Sequence, residues 1–234
     1  MSGTGAAGGA VAADDGVRLR VTEIYRSLSG ESTRAGLPCT LVRLTGCGLR
    51  CRWCDTAHAF AGGDEMDLDA VLLRVSELGD DLVLVTGGEP LEQAGVEALL
   101  VALVRAGSNV MVETGGHVDI TRALAASSVI LDLKAPGSGM EKHNSWANLD
   151  RLRPADEVKF VLAGRADYEW ARDVLCRRLV RGRSLIDTCP VLFSAVWGEL
   201  DPADLAAWIL EDRLGVRLNL QLHKVLWPDA QRGV

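Results

Sequence analysis

The chain has 234 residues, 48% of them hydrophobic and 24% charged, and carries a formal net charge of −7 at pH 7. That length suits one domain with a sizeable core. The acidic balance excludes a broad basic nucleic-acid surface but leaves room for a small anionic substrate held by a few arginines. No apolar run approaches the roughly 20 residues that cross a bilayer, so no membrane partner is expected.

Residues 1–17 form a Gly/Ala-rich tail, expected to be disordered, without the basic start and strongly apolar stretch of a signal peptide. Residues 18–234 are expected to form a single domain. A first strand is read at 18–25, then a polar loop at 27–38 with glycine and proline breaks, then a strand at 40–45 that runs straight into a cysteine-rich loop. Beyond it, helices and short apolar strands alternate. Helices are placed near 67–78, 91–106, 120–126, 146–152, 166–180 and 202–213, each preceding a strand, at 82–85, 109–112, 129–133, 157–162, 188–193 and 217–222 respectively. Such an order indicates parallel βαβ units, and six or seven of them in so short a chain point to an α/β fold with a partial, open parallel β/α barrel. Reactive groups of β/α barrels gather at the carboxyl ends of the strands. Here those ends carry the cysteine loop, Thr86-Gly87-Gly88-Glu89-Pro90, Glu113-Thr114-Gly115-Gly116, Asp132-Leu133-Lys134 and Ser194-Ala195.

The loop CGLRCRWCDT places Cys47, Cys51 and Cys54 in a Cys-x3-Cys-x2-Cys spacing. Only thiolates ligate metal, so the triplet suits a reducing cytoplasm better than a disulfide framework. Three readings follow. A zinc knuckle would take His58 as its fourth ligand. A four-iron cluster, normally held by four cysteines, would keep one iron open for another ligand. Three reduced cysteines in a packed loop would need no metal. The position of the loop at the end of a barrel strand favours the cluster, with Trp53 placed to shield it. Arg43 lies between Val42 and Leu44, so an inward charge there has to be paired or functional. Gly87 and Gly88 permit close backbone approach to a ligand.

Taken in order, SLSGESTRAG, LVRLTGC, the cysteine triplet, CDT, TGGEPLEQ, VETGG, DEVKFVL and LQLHKVLW resemble the 7-carboxy-7-deazaguanine synthases, a family of radical S-adenosylmethionine enzymes, from about residue 18 to residue 228. The resemblance implies a lyase that converts 6-carboxy-5,6,7,8-tetrahydropterin to 7-carboxy-7-deazaguanine with loss of ammonia, in queuosine-type 7-deazapurine biosynthesis. It implies a 4Fe-4S cluster on Cys47, Cys51 and Cys54, with S-adenosylmethionine on the open iron as the radical source. It assigns Gly87, Gly88, Glu89, Asp132, Leu133, Lys134, Ser194, Ala195, Val196 and Trp197 to that cofactor. It assigns Leu28, Ser29, Gly30, Glu31, Arg43 and Thr86 to the substrate, and Thr56 to Mg2+. Asp55 is expected to support the loop by hydrogen bonding. His223 and Lys224 are placed near the site, and the stretch 229–234 runs past the matched proline. A homodimer and an electron donor such as flavodoxin or ferredoxin are further implications. Two rivals remain: an activase that installs a glycyl radical on a protein, and a non-enzymatic zinc-stabilised module.

Overall fold

The computed structural model describes residues 16–230, 232 and 233. Residues 1–15 of the expected tail lie outside the described residues. The ordered domain begins before residue 18, because the carbonyl of Val17 accepts from Leu68 N at 3.2 Å and its side chain packs on the core.

The elements in chain order are β1 (Arg18–Leu28), β2 (Pro38–Leu44), β3 (Asp64–Asp67), α1 (Leu68–Leu78), β4 (Leu82–Gly87), α2 (Val96–Arg105), β5 (Asn109–Thr114), β6 (Ser128–Lys134), β7 (Glu157–Leu162), α3 (Arg165–Arg177), β8 (Leu179–Val180), β9 (Arg183–Ser184), α4 (Leu185–Thr188), β10 (Val191–Ala195), α5 (Pro202–Glu211), β11 (Arg217–Leu218) and α6 (Leu222–Leu226). The main sheet runs β11-β10-β7-β6-β5-β4-β2-β1-β3. From β2 to β11 every neighbouring pair is parallel, while β1 and β3 add an antiparallel margin. The sheet does not close on itself, as expected of an open barrel.

Alternation along the strands divides the sheet into two faces. Val42, Val85, Val112, Leu131, Leu133, Phe160 and Phe193 belong to the large core that meets the helices. Leu41, Leu84, Met111 and Ile130 form a smaller apolar floor on the concave face. Above that floor the concave positions change character: Arg43, Thr86, Glu113, Asp132 and Lys159 line a cavity. Each of β2, β4, β5 and β6 is therefore apolar toward the helices and becomes polar inward near its carboxyl end, whereas on β7 the inward positions are Glu157, Lys159 and Val161.

The loop 29–37 crosses the open side of the half-barrel. Its Ser32 N donates to Asn219 Oδ1 at 3.1 Å, and Thr33 N to Glu157 on β7 at 3.1 Å. Strand β3, unforeseen in the sequence, pairs with β1 and pins the far end of the cysteine loop.

Several elements differ from expectation. Residues 120–125 and 146–151 form 3-10 rather than α turns, and α2 starts at Val96 after a separate 3-10 turn at Pro90–Glu92. The helix expected to reach 180 stops at Arg177, because Arg181 and Gly182 adopt positive φ and turn the chain into the β8–β9 hairpin. The strand expected at 217–222 ends at Leu218, and its apolar continuation is α6, which carries His223 and Lys224. Leu222 N donates to Gly30 O at 2.9 Å, so α6 is fixed to the loop that closes the cavity. Among the described residues no helix is long and apolar enough to cross a membrane.

Candidate active site

The cavity at the carboxyl ends of the strands has a volume of about 780 Å³, within the range of sites that enclose a ligand with a cofactor. Cys47, Cys51 and Cys54 line one wall as free thiols. Burial raises the pKa of Cys47 and Cys51; Lys134 acts in the opposite sense on Cys51, and the backbone amide of Leu49 on Cys47.

The cysteine loop is stapled from several sides. Glu89 N donates to Gly46 O at 2.6 Å, and Gly88 N to Leu44 O at 3.0 Å. Arg50 Nη1 donates to the carbonyls of Cys47 and Leu49 at 2.5 and 2.6 Å. Arg52 ties the loop to both neighbouring walls: its backbone N donates to Ser138 O at 3.0 Å, and its guanidinium makes a two-point pair with Glu199 at 2.9 and 2.7 Å. The sequence reading assigned no role to either arginine.

His58 does not join the cysteines. Its Nε2 faces Glu23 Oε1 at 3.4 Å. Among the described residues no three His, Cys, Asp or Glu side chains converge as ligands of one ion, which a zinc knuckle with Zn–S bonds near 2.3 Å would require. A cluster spreads its thiolates over different irons, so three separated free thiols around an open cavity fit it better.

All six residues assigned to the substrate line the cavity, as does Thr56. Arg43 is buried and paired, with Nε donating to Glu23 Oε1 at 2.7 Å and Nη2 to Tyr25 Oη at 3.1 Å. The Thr56 hydroxyl caps no backbone group of the short helix it precedes and lies 3.7 Å from Cys54 Sγ.

The cofactor set divides. Gly87, Gly88, Asp132, Lys134, Val196 and Trp197 line the cavity. Four others do not, for clear physical reasons. The carboxylate of Glu89 is buried and saturated by Leu91 N, the Thr114 hydroxyl and Gly115 N, at 2.8 to 3.0 Å. It joins the carboxyl ends of β4 and β5 and does not line the cavity, and burial raises its pKa. Leu133 points into the helix-side core because it alternates with Asp132 and Lys134. Ala195 packs in that same core. Ser194 Oγ accepts from Asn219 Nδ2 at 2.8 Å and so supports the residue that anchors the 29–37 loop.

Asp55 pairs across the cavity rim with Lys224 Nζ at 2.9 Å and lies 3.9 Å from His223 Nε2. Burial works against its charge, but His223 and Lys224 outweigh it and hold the carboxyl far below the usual range. The expected loop-supporting role is thus a latch to α6. Gly30 is needed for the same contact, since a Cβ there would sit 2.3 Å from His223 Nδ1.

The sequence reading also missed Lys159, the most buried cation of the site. Its Nζ donates to Glu31 Oε2 at 2.5 Å and to Glu113 Oε1, with Asp132 Oδ2 at 3.6 Å. Burial opposes its charge, but the three carboxylates hold its pKa well above the usual lysine value. Lys134, at 3.1 Å from Asp132 Oδ2, is likewise raised against burial, to about 12. Glu113 is lowered in spite of burial, because Lys159 is next to it. A lysine at an inward position of an otherwise apolar strand was the available signal.

The Radical SAM superfamily profile matches residues 41–139. A 7-carboxy-7-deazaguanine synthase from Chlorobaculum tepidum is 43% identical over 219 residues, covering 92% of this chain and 97% of that protein. The chain belongs to the 7-carboxy-7-deazaguanine synthase family. The Koribacter versatilis member is 40% identical over 92% of this chain and 100% of its own length. The crystal structure of QueE from Escherichia coli shares the fold, with a TM-score of 0.69 at 20% identity over 87% of this chain and 93% of that one. Membership of a radical S-adenosylmethionine family implies a 4Fe-4S cluster and S-adenosylmethionine for this synthase family member.

Proposed function

We propose that the chain converts 6-carboxy-5,6,7,8-tetrahydropterin to 7-carboxy-7-deazaguanine and ammonia, within queuosine-type deazapurine biosynthesis. The observation that carries this reading is one cavity lined both by three free thiols and by Glu31 and Arg43. Cys47, Cys51 and Cys54 would hold the cluster. Gly87 and Gly88 would allow the methionine end of S-adenosylmethionine to lie against the backbone, and Asp132, Lys134, Val196 and Trp197 would surround the remainder. Together the two groups supply a 5′-deoxyadenosyl radical when bound.

The residues of the chain bind, orient and screen. Glu31 Oε1 is buried without a hydrogen-bond partner, an acceptor suited to the amino-pyrimidinone edge of a pterin. The Arg43 guanidinium has five N–H groups, and Glu23 and Tyr25 take two of them, so donors remain for the 6-carboxylate. The Thr86 hydroxyl donates to Glu113 Oε2 at 3.2 Å and extends the polar ring toward the same ligand. Leu28, Ser29 and Gly30 form the wall that α6 covers. The Thr56 hydroxyl, beside Cys54 Sγ at 3.7 Å, would offer an oxygen to Mg2+, which prefers oxygen ligands and shares its sphere with waters or substrate oxygens. The reading includes a homodimer, a flavodoxin- or ferredoxin-like electron donor and a reducing cytoplasm, which suits free thiols.

Anaerobic reconstitution tests the cofactor part. The expected protein is brown, with about four irons and four sulfides per chain, and its reduced cluster changes its electron paramagnetic resonance signal when S-adenosylmethionine is added. A colourless protein holding one zinc contradicts the reading.

A further inference from the structure

Lys159 is a lysine inside a protein, 3% exposed, and no step proposed above uses it. Burying a cation is costly unless it is paired and hydrogen-bonded. An ammonium has three N–H groups. Here Glu31 and Glu113 each accept from it and Asp132 Oδ2 lies 3.6 Å away, so three carboxylates surround it. The three come from separate pieces of chain: the 29–37 loop, β5 and β6. Lys134 is the other cation beside them, bound to Asp132.

The second oxygen of each carboxylate is what makes the arrangement selective. Glu31 Oε1 and Asp132 Oδ1 are buried with no hydrogen-bond partner. Glu113 Oε2 accepts from Thr86 alone. Lys159 thus fixes one oxygen of Glu31 and one of Glu113, Lys134 holds Asp132 Oδ2 at 3.1 Å, and the remaining carboxylate oxygens can only accept. An ionised carboxylate facing a ligand carbonyl leaves two acceptors unpaired, whereas facing an N–H it gains a charge-assisted bond. Removing the ammonium would leave Glu31 and Glu113 with mutual repulsion and freedom to turn away, while Lys134 still holds Asp132.

We propose that Lys159 is a positioning residue that sets the selectivity of the site for a ring edge with adjacent N–H donors over the same ring bearing a carbonyl in place of the amino group. The inference rests on the pterin reading above and deepens it. Lys159 acts through Glu31 and Glu113 and does not touch the ligand.

The test is equilibrium binding, independent of turnover. Reconstituted protein with S-adenosylmethionine is titrated under anaerobic conditions with 6-carboxypterin, which has the 2-amino group, and with 6-carboxylumazine, which has a 2-oxo group. Wild type is expected to prefer the pterin by about 100-fold. Lys159→Met is expected to cut that ratio by about tenfold or more, by weakening pterin binding while lumazine binding and iron content stay unchanged. Lys159→Arg, which keeps the charge, is expected to restore most of the ratio. If Lys159→Met does not fold, the double variant Glu113→Gln/Lys159→Met, which removes one charge of each sign, is expected to show the same loss. A wild-type ratio in the folded variant overturns the inference alone. A wild type that binds neither ligand refutes the pterin reading, and the inference with it.

Discussion

Replacing Gly88 with alanine inserts a methyl group where there is no room. The added Cβ would lie 2.1 Å from Gly46 O, 2.6 Å from Gly46 C and 2.9 Å from Cys47 Cβ. Two of these atoms are backbone held by hydrogen bonds to Ala59 and Glu89, so no side chain can swing aside. The cysteine loop must move by roughly 1 Å, and overpacking of this kind costs about 1–3 kcal/mol. For a chain of this length that lowers the melting temperature by on the order of 5 °C. Because the displaced atoms adjoin Cys47, cluster incorporation should fall with stability. Gly164→Ala is the control: nothing lies within 4 Å of its Cβ position, and φ there is extended at 174°. Thermal melting of the apo chain, and iron and sulfide analysis after reconstitution, read both effects. Gly88→Ala with the melting temperature and iron content of wild type would refute the packing argument.

Other substitutions probe separate parts of the account. Glu31→Gln should raise KM for the pterin by about tenfold or more through loss of a charge-assisted bond, with iron content unchanged; unchanged KM would remove Glu31 from the substrate. Thr56→Ala should weaken the Mg2+ dependence of activity while the cluster stays intact, and an unaltered Mg2+ titration would exclude it as a ligand. His58→Ala should reconstitute with the same iron content, since His58 faces Glu23; loss of metal would revive the Cys3His alternative. The Asp55 carboxyl is held below its ordinary value, so its pairing with α6 is fully present above about pH 4 and is lost only as pH falls through the lower folded value. Limited proteolysis of the C-terminal segment should therefore be flat from neutral pH to mild acid in wild type, and faster throughout in Lys224→Met. A sharp rise near pH 6 in wild type would contradict the assignment.

The cysteine triplet, the succession of strands and helices and the glycine turns were legible because each is a local pattern. Spacing shows in the sequence, and parallel strands announce themselves by apolar runs between helices. What escaped depends on which face a residue takes. Leu133 sits between two cavity residues yet faces the helices, and Lys159 sits in an apolar strand yet faces the cavity. Strict alternation along β6 and β7 explains both. Glu89 escaped for another reason: a buried acid that accepts from the Thr114 hydroxyl and Gly115 N at the end of β5 is invisible until β4 and β5 are in register. Residues 217–222 read as a strand because Leu218, Leu220 and Leu222 alternate, but the sheet ends at β11, and tertiary contact with Gly30 and Asp55 fixes the α6 turn that follows. Ser194 and Asn219 lie 25 residues apart and meet only in the folded chain.

One measurement tests the central claim most directly. Reconstituted enzyme is incubated anaerobically with 6-carboxy-5,6,7,8-tetrahydropterin, S-adenosylmethionine, a reductant and Mg2+, and the products are analysed by mass spectrometry. The account predicts 7-carboxy-7-deazaguanine and an equal amount of ammonia, both absent when Cys51 is replaced by alanine. A protein that carries its cluster and cleaves S-adenosylmethionine but leaves the pterin unchanged would contradict it.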